Sequence, residues 1–304
     1  MVRRLCPAVT FSAGAAIVAL ALSACGSSSL STPTTSGSTP AASQSADPAL
    51  VAKLPAKIKS AGQIVVGTDA TYAPNEFLNA DGKTVQGMDV DLFNAVMQKF
   101  GVKVVWQPAG FDTIITGVQG GKYDVGVSSF TINNDRMKQV NMVSYFNAGT
   151  QWATAPGNPK KVNPASPCGL KVAVQKGTVQ EQTDMPPKVK ACATQGKPID
   201  LQIYGGQDQA TAAVATGKAD AMLADSPVVA YAIKQSAGKI EAAGDVYDAA
   251  PYGYVVPKAN TEFAQALADA LKSLESSGDY KKVLSTWGNE AGAINNFAVN
   301  PTVK

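Results

Sequence analysis

The stretch "DTIITGVQGGKYDVGVSSFTINNDR", Asp112 to Arg136, decides the fold. It passes from a helical segment through Gly-Lys-x-Asp into a short apolar run of strand type. That run ends in the hydroxyl residues Ser128, Ser129 and Thr131, with an arginine, Arg136, five residues beyond the last of them. A second version of its opening, "DQATAAVATGKAD", runs from Asp208 to Asp220, displaced by 96 residues, with five of thirteen positions identical. Both copies stand at a helix-to-strand junction, as duplicated lobes require.

Working outward, "IVVGTD" (Ile64 to Asp69) reads as a strand. "DVDLFNAVMQKF" (Asp89 to Phe100) places Leu92, Phe93, Val96, Met97 and Phe100 on one helical face, with acids in its first turn and Gly101 to end it. "VKVVW", "YDVGV", "LKVAV", "LQIY" and "ADAML" follow as strands separated by helical segments, which predicts an α/β fold with largely parallel sheets. Phe263 to Leu274 and Tyr280 to Trp287 carry the periodicity of two closing helices. The length beyond Val51 exceeds what one compact core usually holds and suits two lobes.

Five residues past the closing aspartate of each copy, the first strand ends at Ser129 and the second at Asp225. Ligands of parallel α/β sheets bind beyond the carboxyl ends of the strands. The two positions therefore face one cleft, with hydroxyls, amides and Arg136 on one side and a carboxylate on the other. A small molecule carrying both a carboxylate and an ammonium group fits.

The N-terminus is not domain material. "MVRRLCPAVTFSAGAAIVALALSAC" has two arginines, an apolar stretch and a small-residue boundary, the layout of an export signal (residues 1–24). The alternative, a membrane anchor, asks for a longer and more apolar stretch. "LSAC" at Leu22 to Cys25 resembles the lipobox of bacterial lipoproteins, in which the cysteine is lipidated. The uncharged Ser/Thr/Pro-rich segment after it reads as a tether, residues 25–50. Without Arg3 and Arg4 the acids and bases nearly balance, so charge offers no reason to propose nucleic acid or a polybasic membrane surface. Cys168 and Cys192 remain as an even pair in an exported chain and are expected to form a disulfide, two buried free thiols being the alternative. The chain has no histidine, which excludes imidazole bases and imidazole metal ligands.

"GTDATYAPNEF", "DGKTVQGMDVDL", the stretch from Gly110 to Arg136, "VAVQKGTVQEQ" and "ADAMLADS" occur in that order. In this ordered set the mature chain resembles the solute-binding proteins of bacterial polar amino-acid ABC transporters, the family 3 extracellular solute-binding proteins, over essentially its whole length. The resemblance implies a two-lobed periplasmic-binding-protein-like α/β fold of type II, its lobes joined by two crossing strands. The boundaries expected are 51–150 with 250–304 for lobe 1 and 151–249 for the inserted lobe 2. It implies a monomeric, non-catalytic, cofactor-free subunit that closes on an amino acid and delivers it to ABC permease subunits at the outer face of the membrane.

The resemblance also assigns roles. Ser128, Ser129 and Thr131 would lie beside the ligand's α-carboxylate and Arg136 would grip it, where the residues alone would also allow a plain helix N-cap. Asp225 would take the ammonium group, with a helix cap before "PVVAYAI" as the alternative. Thr178 and the amide of Val179 would serve the carboxylate from the second lobe, in what could otherwise be an ordinary strand-to-helix turn. Tyr72 and Phe111 match rings that sandwich the ligand side chain, though lone aromatics also serve as core. Asp69 matches a contact to polar side-chain heads, or is a turn former; Gln175 is a specificity candidate, or an exposed strand position.

Asn75 and Ala224 depart from the pattern and are expected to reshape the side-chain end of the pocket. Lys176 reads as a solvated loop lysine, so a neutral polar or basic ligand is favoured over an acidic one. The rival reading is a lyase on the same scaffold, similar to cyclohexadienyl dehydratases, with Glu76 or Glu181 as its acid; both glutamates are otherwise expected to be solvated. A sensing lipoprotein without a transporter is a third reading. "SAGK" at Ser236 to Lys239 lacks the companion motifs of penicillin-binding enzymes.

Overall fold

The computed structural model describes residues 46–303; the expected export signal, the expected lipidation site Cys25 and the expected tether as far as residue 45 lie outside the described residues. The folded chain starts earlier than the sequence pattern suggests. Asp47 caps a short helix, α1 (Pro48–Ala52), by accepting the Ala49 amide at 2.8 Å, and its own amide donates to the Lys99 carbonyl. Leu50 is buried in the core, so residues 47–50 belong to the domain and not to the tether.

After α2 (Ala56–Ala61) and β1 (Gln63–Thr68), a small antiparallel sheet forms from β2 (Thr71–Tyr72), β3 (Glu76–Leu78) and β4 (Val85–Gln86). Next come α3 (Met88–Phe100), β5 (Lys103–Pro108), α4 (Phe111–Gln119), β6 (Val125–Gly126), α5 (Asn134–Gln139) and β7 (Asn141–Thr154). The second half holds β8 (Lys171–Gln175), a π-helical turn at Gln180–Asp184, α6 (Met185–Thr194), β9 (Asp200–Tyr204), α7 (Gln207–Ala215), β10 (Ala221–Asp225) and α8 (Ser226–Gln235). The chain returns through β11 (Glu241–Val256) and ends in α9 (Thr261–Ser277) and α10 (Asp279–Trp287).

Eight strands join in the order β5-β1-β6-β11-β7-β10-β8-β9. β5, β1 and β6 are parallel to one another, as are β10, β8 and β9. Between these groups β7 and β11 pair antiparallel, and at 14 and 16 residues they are long enough to run through both. Each group has helices against its faces and its own apolar clusters. The first group packs on α3, α9 and α10, where the expected face of Leu92, Phe93, Val96, Met97 and Phe100 is wholly buried. The second packs on α7 and α8 on one side and α6 on the other.

The repeat has a physical basis in the two helix-to-strand junctions. Asp124 donates its amide to the Val65 carbonyl and accepts the Val65 amide on its carboxylate at 2.9 Å. Asp220 makes the same pair of bonds to Lys171, at 2.8 Å each. In both copies the aspartate after Gly-Lys-x ties the start of one parallel strand to its neighbour.

Cys168 and Cys192 are bonded, joining the loop before β8 to α6. With a sequence separation of 24, the loop-closure model assigns the crosslink roughly 3 kcal/mol. The Cys168→Ser/Cys192→Ser double variant is expected to lose about that much in chemical denaturation, ~3 kcal/mol, with the unfolding transition remaining cooperative.

Candidate functional site

The carboxyl ends of β6 and β10 face each other across a small, nearly closed cavity between the two strand groups, with about 10 Å³ of free volume. The first group contributes Tyr72, Phe111, Ser129, Thr131 and Arg136 to its walls; the second contributes Thr178, Val179, Gln180 and Asp225.

Arg136 lies in α5, whose cap Asn133 accepts the Arg136 amide at 2.8 Å and so fixes where the side chain departs. The guanidinium is buried. Its Nη1 donates to the Thr131 carbonyl at 2.8 Å and its Nη2 to the Gly177 carbonyl of the opposite group at 3.0 Å. The Phe111 and Phe130 rings flank it at 5.4 and 5.5 Å, and they stack on each other with centroids 4.6 Å apart. Burial lowers its pKa to about 10, opposed by the nearby Asp225 carboxylate. A guanidinium offers five N–H donors in a fork suited to a carboxylate; two carbonyls do not exhaust it.

Asp225 ends β10 and precedes α8, yet its side chain makes no cap bond to that helix. Its carboxylate turns instead to the cavity, accepting from Gln180 Nε2 and from the Tyr252 hydroxyl, both at 2.7 Å. Its amide donates to the Tyr72 hydroxyl at 3.1 Å, a contact between the two groups. Burial raises the Asp225 pKa, while the bonds from Tyr252, Gln180 and Tyr72 and the charge of Arg136 pull it back.

Thr178 donates to the Gln175 carbonyl at 2.7 Å and accepts the Glu181 amide, as a turn residue does, while also lining the cavity. Ser129 lines the wall with a left-handed backbone. Ser128 stands behind it, its hydroxyl donating to Glu76 and accepting the Asp69 amide. Asp69 and Gln175 also lie outside the cavity walls and meet each other, Gln175 Nε2 donating to Asp69 Oδ2 at 2.8 Å. Asp69 further accepts the Phe111 amide at 3.0 Å and the Thr71 hydroxyl at 2.6 Å. Burial nevertheless raises its pKa. The Gln175 side-chain carbonyl is buried without a partner.

Several expectations need correcting. Glu76 is not solvated: it is fully buried behind the serines. Glu181 is half-buried and accepts the Gly177 amide. Asn75 does not reach the side-chain end of the pocket but donates to Ser129 Oγ at 3.0 Å, and Ala224 lies in the core of the second group. Lys176 is exposed but not free, pairing with Asp112 at 2.8 Å across the cleft. Gln180 and Tyr252 were not singled out from sequence. Gln180 lies within a quoted motif, whereas Tyr252 is one aromatic in a long strand and nothing local marks it.

A two-lobed α/β architecture with facing strand ends and opposed charges defines the periplasmic-binding-protein-like class. The comparisons agree. Residues 64–290 match the bacterial extracellular solute-binding proteins, family 3, and the chain belongs to that family. It is 36% identical over 254 residues to the arginine-binding protein ArgT of Corynebacterium glutamicum, covering 83% of each chain. A solved structure of an ancestral arginine-binding protein bound to arginine matches with TM-score 0.68 and 32% identity, over 74% of this chain and 98% of that one. The ancestral amino acid-binding protein AncCDT-1, a precursor of cyclohexadienyl dehydratase, matches with TM-score 0.68 and 31% identity, over 76% of this chain and 97% of that one.

Tyr252→Phe deletes a bond to a buried carboxylate, a loss of about 1.5 to 3 kcal/mol while Asp225 is ionised. The bond favours the ionised form, so the deficit should be largest at neutral pH and shrink as Asp225 is protonated on acidification. Urea denaturation of the variant at several pH values reads this out.

Proposed function

We propose that this protein is the extracytoplasmic substrate-binding subunit of an ABC importer and captures a polar amino acid, a basic one first among candidates. The observation that carries the reading is that Arg136 and Asp225, buried and on separate strand groups, face one cavity. In this reading Arg136 with Thr131, Thr178 and the Val179 amide holds the α-carboxylate, Ser129 shapes the wall beside it, and Asp225 takes the α-ammonium. Tyr72 and Phe111 flank the side chain, Asp69 and Gln175 shape its far end, and Ser128 supports the wall from behind through Glu76 and the Asp69 amide. A cationic side chain suits that end because Asp69 supplies a carboxylate and the local lysine, Lys176, is already paired with Asp112. The relatives named for arginine support the same choice.

The lobes divide near residues 150 and 250, where the pairing of β7 with β11 slips twice between Ala243 and Ala250. Gly149 sits there with the Tyr247 carbonyl only 2.6 Å from where a Cβ would stand, and Asp248 is left-handed at φ 50°. Closure about this segment brings Arg136 to Gly177, Gln175 to Asp69 and Tyr72 to Asp225, and a ligand touching both lobes favours it by its differential affinity. The subunit is non-catalytic in this reading: Glu76 and Glu181, the acids a lyase would use, are both absent from the cavity wall, Glu181 being turned to the Gly177 amide. Lipidation of Cys25 would hold the domain at the outer face of the membrane within reach of its permease.

The test is a thermal-shift panel of the twenty amino acids on residues 46–304. Arginine, lysine or another polar member should raise the melting temperature, by an amount that grows with the logarithm of its affinity; a panel with no response contradicts the reading. Asp69→Asn should weaken the basic amino acids by about tenfold or more while affecting glutamine little, since one charge-assisted bond carries roughly 1.5 to 3 kcal/mol. Calorimetry with arginine and glutamine checks that difference.

A further inference from the structure

Behind the cavity wall, Glu76 of β3 and Asp89 in the first turn of α3 are both fully buried. Between them and the cavity stands Ser129, whose φ of 51° is unfavourable for a residue with a Cβ and persists only when its surroundings hold it. Its amide donates to Asp89 Oδ2 at 2.9 Å, and Asn75 Nδ2 donates to its hydroxyl oxygen at 3.0 Å. The hydroxyl lies 3.2 Å from both Glu76 Oε2 and Asp89 Oδ2, and its one proton can serve only one of them.

The donors around the two acids do not suffice for two carboxylates. Asp89 Oδ2 has the Ser129 amide and the Tyr145 hydroxyl. Asp89 Oδ1, also buried, has no hydrogen-bond donor from another residue among the described residues. Glu76 Oε1 has the Ser128 hydroxyl. Among the described residues the titratable groups that face the pair are Asp69, Tyr72 of β2, Tyr145 of β7 and Tyr254 of β11, none of them a cation. Two buried negative charges with no counter-charge are far costlier than one. A single proton on Glu76 removes one charge and gives the Glu76–Asp89 hydrogen bond a donor.

We propose that Glu76 is a positioning residue: at neutral pH it stands as an un-ionised carboxylic acid hydrogen-bonded to Asp89, and the pair holds Ser129 in its cavity-facing conformation. Burial pushes both acids upward, Asp89 to about 6 and Glu76 well above the usual range, with each acting on the other. The protonation of Glu76 is independent of the ligand; only the consequence for binding rests on the amino-acid reading. The unfolded chain releases the Glu76 proton near the ordinary value and the folded chain releases it higher. The pair's stabilising contribution is therefore complete at acid pH, declines as pH rises above the ordinary glutamate value, and is lost through the folded one.

The experiment compares wild type with Glu76→Gln by infrared spectroscopy at neutral pH. The wild type should show the carbonyl stretch of an un-ionised carboxylic acid that the variant lacks; identical spectra in that region overturn the proposal. In melting curves across pH, Glu76→Gln should lose the part of the alkaline decline that Glu76 causes, and an unchanged slope counts against it. Should the variant fail to fold, NMR titration of the Glu76 carboxyl carbon in the wild type decides: protonated through neutrality supports the proposal, ionisation near the ordinary glutamate value overturns it. With a ligand in hand, Glu76→Ala should bind about tenfold more weakly at every pH and Glu76→Gln should recover most of that loss. An equal loss in both variants contradicts positioning by a hydrogen-bonded pair. If no amino acid binds, the functional reading fails while the infrared and melting results still judge the protonation.

Discussion

Two opposite charges buried on separate strand groups are the constraint on which the rest of this structure depends. An arginine and an aspartate removed from water each lose several kcal/mol of hydration unless other groups replace it. Here the replacements are neutral: two carbonyls for Arg136, and a phenol and an amide for Asp225. Each charge is tolerated yet keeps capacity for a partner of opposite sign. A molecule bearing a carboxylate and an ammonium group at one carbon can meet both at once, and does so only when the groups are held together.

The architecture supplies what that arrangement needs. Parallel strands end toward the cleft, so their last residues and the helix starts after them deliver side chains and amides to one place. Antiparallel β7 and β11 carry the chain across and back, and Tyr252, on the return strand, touches Asp225 directly. The anion site and the strand that joins the two groups are thus linked by one hydrogen bond. Behind the other wall two segments hold Ser129 in its left-handed conformation: Asp89 of α3 accepts its amide, and the adjacent Asn75 and Glu76 meet its hydroxyl.

Much of this was legible in the sequence, and for physical reasons. Period-3.6 apolar faces such as Leu92 to Phe100 and short β-rich runs gave the elements, because burial of one face imposes those spacings. The duplicated Gly-Lys-x-Asp pointed to the strand ends, because the same aspartate bond starts a strand in each copy. Asp225 and Arg136 could be placed from there. What stayed hidden depends on contacts between residues far apart in the chain. The burial of Glu76 requires Ser128 and Ser129, more than fifty residues on, and Asp89 beside it. Tyr252 finds Asp225 only once β11 returns, and Asn75 turns to Ser129 and not to the pocket because Asn289 lies on its other side. The start of the folded domain is hidden for a similar reason: Asp47 is anchored by Lys99, which no local pattern announces.

The central claim is that Arg136 and the guest's carboxylate are partners, and a cycle that removes each in turn measures it most directly. Calorimetry would compare the preferred amino acid with the corresponding amine lacking its carboxylate, on wild type and on Arg136→Ala. Direct partnership predicts strong non-additivity: either deletion alone abolishes most of the affinity, and the second then costs little. Losses that simply add would show that the guanidinium and the carboxylate do not meet, and would contradict a clamp built on two opposite buried charges.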